Sequence, residues 1–168
     1  NSLILKDGSG VNGGAIHAAG SVTLNRVYIF DSSATVSGGA VYLDGPSASF
    51  SATDSIFYGN TAGKPATDSK PAVFGDGAVL AMSCLDNLSA TKRSIAFDRT
   101  SIINNGSSIT KTLLNFCGTP SGSIYASTIA NNKVSKDIGS AAIKYIYTAD
   151  IAPLHPNSAL TIQSNTIV

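Results

Sequence analysis

The chain contains no Glu and no Trp, one Met and two Cys, and only 12% of its 168 residues carry charge, about half the usual ~25%. Exposed helix faces lean on Glu, Lys and Arg, so a chain whose acids are all Asp and whose polar residues are mainly Ser, Thr and Asn is not a helical bundle. A net charge of +1 supplies no clustered Lys and Arg for phosphates, which argues against a nucleic-acid partner. No apolar run is long enough to cross a bilayer, so no membrane insertion is expected of this segment. The first residues, Asn1 to Gly8, have no charged leader or small-residue cleavage site. No signal peptide is expected in this chain, and a processed secreted protein would look the same. Cys84 and Cys117 lack the C-x-x-C and C-x-x-C-H spacings, and only two His are present, so no metal, haem or other cofactor is expected. Against these absences stands a hydrophobic content of 43%, enough to fill one core over residues 1–168.

What the chain does have is repetition. An 11-residue window recurs at Val22 to Ser32, Phe50 to Asn60, Ile95 to Asn105 and Gly122 to Asn132, and a shorter copy runs from Leu160 to Val168. Its third column reads Leu24, Ala52, Phe97, Ile124, Ile162, and its eighth Ile29, Phe57, Ile102, Ile129, Ile167. The eleventh reads Ser32, Asn60, Asn105, Asn132. Residues between them alternate toward Ser, Thr, Asn and charge, the pattern of a strand with one buried face. Before each window lies a second block: Gly13-Gly14-Ala15-Ile16, Gly38-Gly39-Ala40-Val41 and Gly75-Asp76-Gly77-Ala78-Val79, then the degraded Lys111-Thr112-Leu113-Leu114 and Ser140-Ala141-Ala142-Ile143. Eighth-column residues step by 28, 45, 27 and 38, a period near 27 with two expanded members.

A unit of this length, built of short strands and tight corners, cannot bury its own apolar face; stacked units can. The expected fold is therefore all-β: a right-handed parallel β-helix, or solenoid, of about five coils with loops inserted at corners. Like residues would lie one rung apart, about 4.7–4.9 Å. Columns three and eight become interior apolar ladders. Asn60, Asn105 and Asn132 become a corner ladder, because Asn tolerates the left-handed conformation and bonds turn backbone. Expanded units carry the segments Gly63 to Phe74, Leu85 to Ser94 and Thr148 to Ser158; such insertions often recognise partners, and otherwise are simply solvated loops.

Gly-Gly-Ala-Ile/Val at residues 13–16 and 38–41, with Phe57-Tyr58-Gly59-Asn60, resembles the paired repeats of the chlamydial polymorphic outer membrane proteins, autotransporters with β-helical passengers. Ala52 to Phe57 and Ser127 to Asn132 are more similar to a broader group, the secreted bacterial right-handed β-helix repeat proteins. The resemblance covers most of residues 13–168. It implies a secreted or cell-surface location and a structural or adhesive role toward a protein or glycan on another surface. Such repeats specify fold far better than function. Neither end reads as a solenoid cap. The readings, in order, are a piece of a longer passenger, ends covered by a partner, and copies stacked end to end into a filament.

The competing enzymatic reading is a polysaccharide lyase or hydrolase, since both use this fold. Hydrolysis needs two carboxylates about 5–9.5 Å apart, and the hydrolase family's Asn-Thr-Asp, Asp-Asp, Gly-His-Gly and Arg-Ile-Lys motifs are missing. Asp54 and Asp98, in adjacent columns, are the nearest approach and should point to different faces or corners; no catalytic residue is assigned. Arg26, Asp54 and Arg99 share column five, where an exposed inter-coil ion-pair row is expected. Cys84 and Cys117 should lie on adjacent coils within a residue of register. A disulfide and a buried pair of thiols both fit, and a secreted context favours the bond. Tyr28, Tyr42, Tyr58, Tyr125, Tyr145 and Tyr147 could line a sugar- or protein-binding face, or be ordinary strand aromatics. Asn87-Leu88-Ser89 and Asn105-Gly106-Ser107 match the glycosylation pattern, which an Asn- and Ser-rich chain also produces by chance.

Overall fold

The computed structural model describes residues 2–84, 93–117, 121–137, 139–146 and 160–168. Among the described residues the chain is all-β, without a helix, and its strands pair almost entirely in parallel within four sheets.

Each repeat window forms two strands rather than one. Columns one to four lie in a five-stranded sheet, D, made of Val22–Asn25, Ser49–Thr53, Ser94–Asp98, Ser121–Tyr125 and Leu160–Gln163. The later columns lie in a six-stranded sheet, A, made of Leu3–Lys6, Val27–Phe30, Ile56–Tyr58, Ser101–Ile103, Thr128–Ala130 and Thr166–Ile167. The break falls at column five, where Arg26, Asp54, Arg99, Ala126 and Ser164 have φ of 53, 50, 47, 46 and 55°. Columns three and eight are an odd number of residues apart, so one straight strand would point them to opposite faces. The left-handed residue turns the chain and aims both at the core.

Pairing carries the columns across the sheets without slippage. Leu24, Ala52, Phe97, Ile124 and Ile162 are successive partners, as are Ile29, Phe57, Ile102, Ile129 and Ile167. The first four members of each row are buried, but Ile162 and Ile167 are 46% and 59% exposed. The interior ladders expected from sequence therefore stop one member early. Both residues sit on the outermost strands of their sheets, where no described strand packs beyond them.

The glycine blocks lead into a second five-stranded sheet, C: Ile16–Ala18, Val41–Leu43, Leu80–Met82, Thr112–Cys117 and Ala141–Ile146. Val41 pairs with Ile16 and with Leu80, so Leu80 rather than Val79 matches Val41 and Gly77 matches Gly38: the third block is shifted by one residue from an alignment on its Ala-Val pair. Backbone bonds explain the shift: Gly38 and Gly39 donate to the carbonyls of Asp76 and Gly77. Gly39 has to lack a side chain, because a Cβ there would strike the carbonyls of Thr61 and Ala78.

The fourth sheet, B, holds Ser9–Asn12, Ser33–Ser37, Thr61–Lys64 and Val73–Phe74. Val73–Phe74 runs antiparallel to Thr61–Lys64 and closes that edge. Beyond it, among the described residues, this side of the molecule has isolated parallel bridges, Ser37 to Asp76, Gly75 to Thr110 and Gly106 to Lys133. Inward residues of sheets A, C and D make one hydrophobic cluster. At its centre Phe50, Phe57 and Phe97 meet with ring centroids 5.1–6.3 Å apart, tilted as aromatic quadrupoles prefer.

Candidate interaction surface

Two polar rows, buried except for their half-buried last members Asn132 and Asn165, fix the corners on either side of sheet A. In the first, each Asn carboxamide serves the neighbouring repeat. Asn60 Oδ1 accepts from Ser32 N (3.0 Å), Asn105 Oδ1 from Asn60 N (2.9 Å) and Asn132 Oδ1 from Asn105 N (2.8 Å). Their Nδ2 groups donate to the carbonyls of Ile29, Phe57 and Ile102. The left-handed residues at this corner are Asp31, Asn104 and Asn131, with Gly59, one place before the ladder. Asn60, Asn105 and Asn132 are thus inward-facing backbone caps, not the left-handed residues the sequence suggested. Because the Asn105 amide is buried and bonded, its glycosylation pattern is closed in the folded protein. Asn87 lies outside the described residues.

The second row is column six, which the sequence reading passed over. Ser55 Oγ accepts from Val27 N, Ser127 Oγ from Thr100 N and Asn165 Oδ1 from Ser127 N, at 3.1, 3.1 and 2.8 Å. The signal was available: Ser55, Thr100, Ser127 and Asn165 recur one place after the left-handed residue. These rows satisfy backbone donors that a turn would otherwise leave buried and unpaired.

Between the rows, sheet A turns columns seven and nine outward. Tyr28 lies beside Ile4 and Ile56, and Phe30 beside Lys6 and Tyr58. The Phe30 ring stands 6.1 Å from both the Tyr28 and the Tyr58 rings. Ile4 is 58% and Tyr58 40% exposed, and Ile103 extends the patch beside Tyr58. Further along, the same columns carry Ser101, Thr128, Ala130, Thr166 and the exposed Val168, so the aromatic residues are confined to one half of the face. Tyr125 is exposed on sheet D. Tyr42 packs edge-on against His17 on sheet C, and His17 Nε2 lies 2.8 Å from Asp44. Tyr145 is half-buried in the last strand of sheet C, and Tyr147 lies outside the described residues.

The column-five charges meet at the corner between sheets D and A. Arg99 grips Asp54 with two nitrogens (2.7 and 3.2 Å) and also bonds Asp98. Hydrogen bonds from Arg99 hold the Asp54 carboxyl below the usual aspartate range, burial opposes them slightly, and the charges of Arg99 and Arg26 add to the lowering. No ion pair joins Arg26 to Asp54 among the described residues, so the expected three-member row is a two-member grip with Arg26 nearby. Asp54 and Asp98, expected on different faces or corners, converge on the same guanidinium. Arg99 thus holds both oxygens of Asp54 and one oxygen of Asp98.

Cys84 and Cys117 form a disulfide with Cα atoms 5.0 Å apart. Next to it lies a buried cation that no motif marks. Arg93 is 2% exposed and bonds the carbonyls of Gly45, Ser83 and Cys117 at 2.7, 2.6 and 3.0 Å. Burial lowers its pKa, opposed by Tyr42 and Asp44. Among the insertions, Gly63 to Phe74 forms an exposed arm closed by paired bonds between Thr67 and Lys70. Most of Leu85 to Ser94 and all of Thr148 to Ser158 lie outside the described residues.

Among the described residues no three His, Cys, Asp or Glu side chains gather as a metal site, and no helix is long and apolar enough to cross a membrane. No protein-family model, curated protein or solved structure matches the chain.

Proposed function

We propose that the chain is a right-handed parallel β-helix of about five coils that serves as a rigid display scaffold, secreted or at a cell surface, and that it presents sheet A to a protein or glycan on another surface. Supporting the coiled reading are the unslipped parallel pairing of successive repeats in sheets A and D, the left-handed residue repeated at column five, and the two polar rows at the corners. The display reading rests on one observation: Tyr28, Phe30 and Tyr58 form a contiguous outward aromatic patch that the inward core does not need. Aromatic faces with polar tips stack on sugar rings and anchor protein interfaces, and they are enriched at both. The engaged state of Asp54 and Asp98 on Arg99 favours binding over hydrolysis.

The test is a binding screen of the whole chain against immobilised cell-surface glycans and extracellular proteins, repeated with Tyr28→Ser, Phe30→Ser and Tyr58→Ser combined. Loss of binding by about tenfold or more, with the circular dichroism and melting cooperativity retained, is the expected result. Equal binding by the triple variant overturns the assignment of this face.

A further inference from the structure

We propose that the Cys84–Cys117 bond is a thiol-exchange site entered at Cys84, and that its opening locally releases the edge where sheets C and D meet. The inference is independent of the display reading.

Its two sulfurs stand in different surroundings. Cys84 is exposed, whereas Cys117 is 2% exposed at the end of its strand in sheet C. Cys84 is thus the exposed residue of the pair, and its sulfur is the one assigned to the incoming thiolate. In the first step that thiolate bonds to Cys84 Sγ, the protein's S–S bond breaks, and the electron pair leaves on Cys117 Sγ, which takes up a proton. With a monothiol the reaction rests at a mixed disulfide on Cys84. With a dithiol, the reagent's second thiolate closes its own disulfide and expels Cys84 as a thiolate, which is then protonated. The protein gains two electrons and two protons; the dithiol is oxidised.

Arg93 converts that chemistry into a structural event. Among the described residues its buried guanidinium bonds no carboxylate and is held by carbonyls from three successive repeats, those of Gly45, Ser83 and Cys117. Ser83 precedes one bridged cysteine, and Cys117 is the other. A buried cation is tolerated only while its donors are filled, and the disulfide holds two of those three acceptors in place. When the bond opens, Ser83 and Cys117 are no longer tied, Arg93 loses its cage, and the strand that starts beside it loosens. Two backbone bonds report this: Ser83 N to Leu43 O at 2.9 Å and Ser121 N to Arg93 O at 3.1 Å.

The experiment treats the oxidised full chain, without denaturant, with glutathione and separately with dithiothreitol. Peptide mass mapping locates the glutathione adduct, and hydrogen exchange follows single amides after full reduction. The expected adduct is on Cys84, with Cys117 as a free thiol. The amides of Ser83 and Ser121 should exchange at least about tenfold faster after reduction, while those of Ser101 and Thr128, which lead into sheet A strands, keep their protection. An adduct mainly on Cys117, no opening without denaturant, or equal acceleration at all four amides overturns the proposal. Arg93→Met in the oxidised protein should accelerate the same two amides; if it folds and leaves them unchanged, the coupling to Arg93 is wrong. Should that variant fail to fold, the wild-type reduction experiment decides alone.

Discussion

Asn60 is the residue on which most of one corner converges. Its oxygen takes the Ser32 amide, its Nδ2 reaches Ile29 O and Asn105 Oδ1, and its own backbone amide is capped by Asn105. Replacing it with Ala removes its Oδ1 and Nδ2 bonds from a fully buried position and leaves the Ser32 amide unpaired. An orphaned buried donor costs about 1–3 kcal/mol, so Asn60→Ala should lower the unfolding free energy by about that amount, read from urea denaturation with an unchanged m-value. Asp54 makes the opposite case, an exposed residue whose partner is charged. Its folded carboxyl titrates below its unfolded value because Arg99 bonds the ionised form. Its contribution is therefore complete above the unfolded aspartate range and is lost as pH falls through the folded midpoint. Carboxyl NMR should find the Asp54 midpoint below that of an ordinary aspartate, and Arg99→Gln should move it upward; a midpoint unmoved by that change removes Arg99 as the cause.

At the scale of elements, the pairing register could be read from sequence because apolar residues fall in the same columns of every window. Column three and column eight were both legible as buried rows. The corner between them was not, because hydrophobicity says nothing of backbone sign, and Arg26, Asp54, Arg99, Ala126 and Ser164 share no chemistry that advertises a left-handed turn. Holding a non-glycine residue there costs about 1–2 kcal/mol, which the hydroxyl and amide caps of column six help to offset. The next corner was half legible: Asp31, Gly59, Asn104 and Asn131 are residue types suited to positive φ, but the reading placed that conformation on the following Asn. The slip in the third glycine block has a similar origin, since Ala78-Val79 and Val79-Leu80 both match Ala40-Val41 by size and hydrophobicity and only the backbone bonds from Gly38 and Gly39 choose between them. Arg93 was illegible altogether. Its carbonyl partners at residues 45, 83 and 117 are far apart in sequence, and backbone acceptors leave no mark on residue type.

For the whole molecule, the asymmetry of sheet A gives the chain a direction that its repeats alone do not. Outward aromatic residues occupy the strands that come first, while the later strands carry hydroxyls with Ala130 and Val168. The antiparallel strand Val73–Phe74 adds a second asymmetry with a mechanical outcome. Up to that strand, four hydrogen-bonded ladders tie one repeat to the next; past it, among the described residues, three remain, helped by the single bridges at Gly75 and Gly106. A tensile load applied between the two ends and directed across the ladders is thus shared by fewer bonds in the later half. In single-molecule pulling, contour length should be released first from the part after Phe74, and a first rupture within residues 3–64 would contradict this. A tether placed on such a chain would have a built-in weak end, and the face bearing Tyr28 and Tyr58 would be the last to give way.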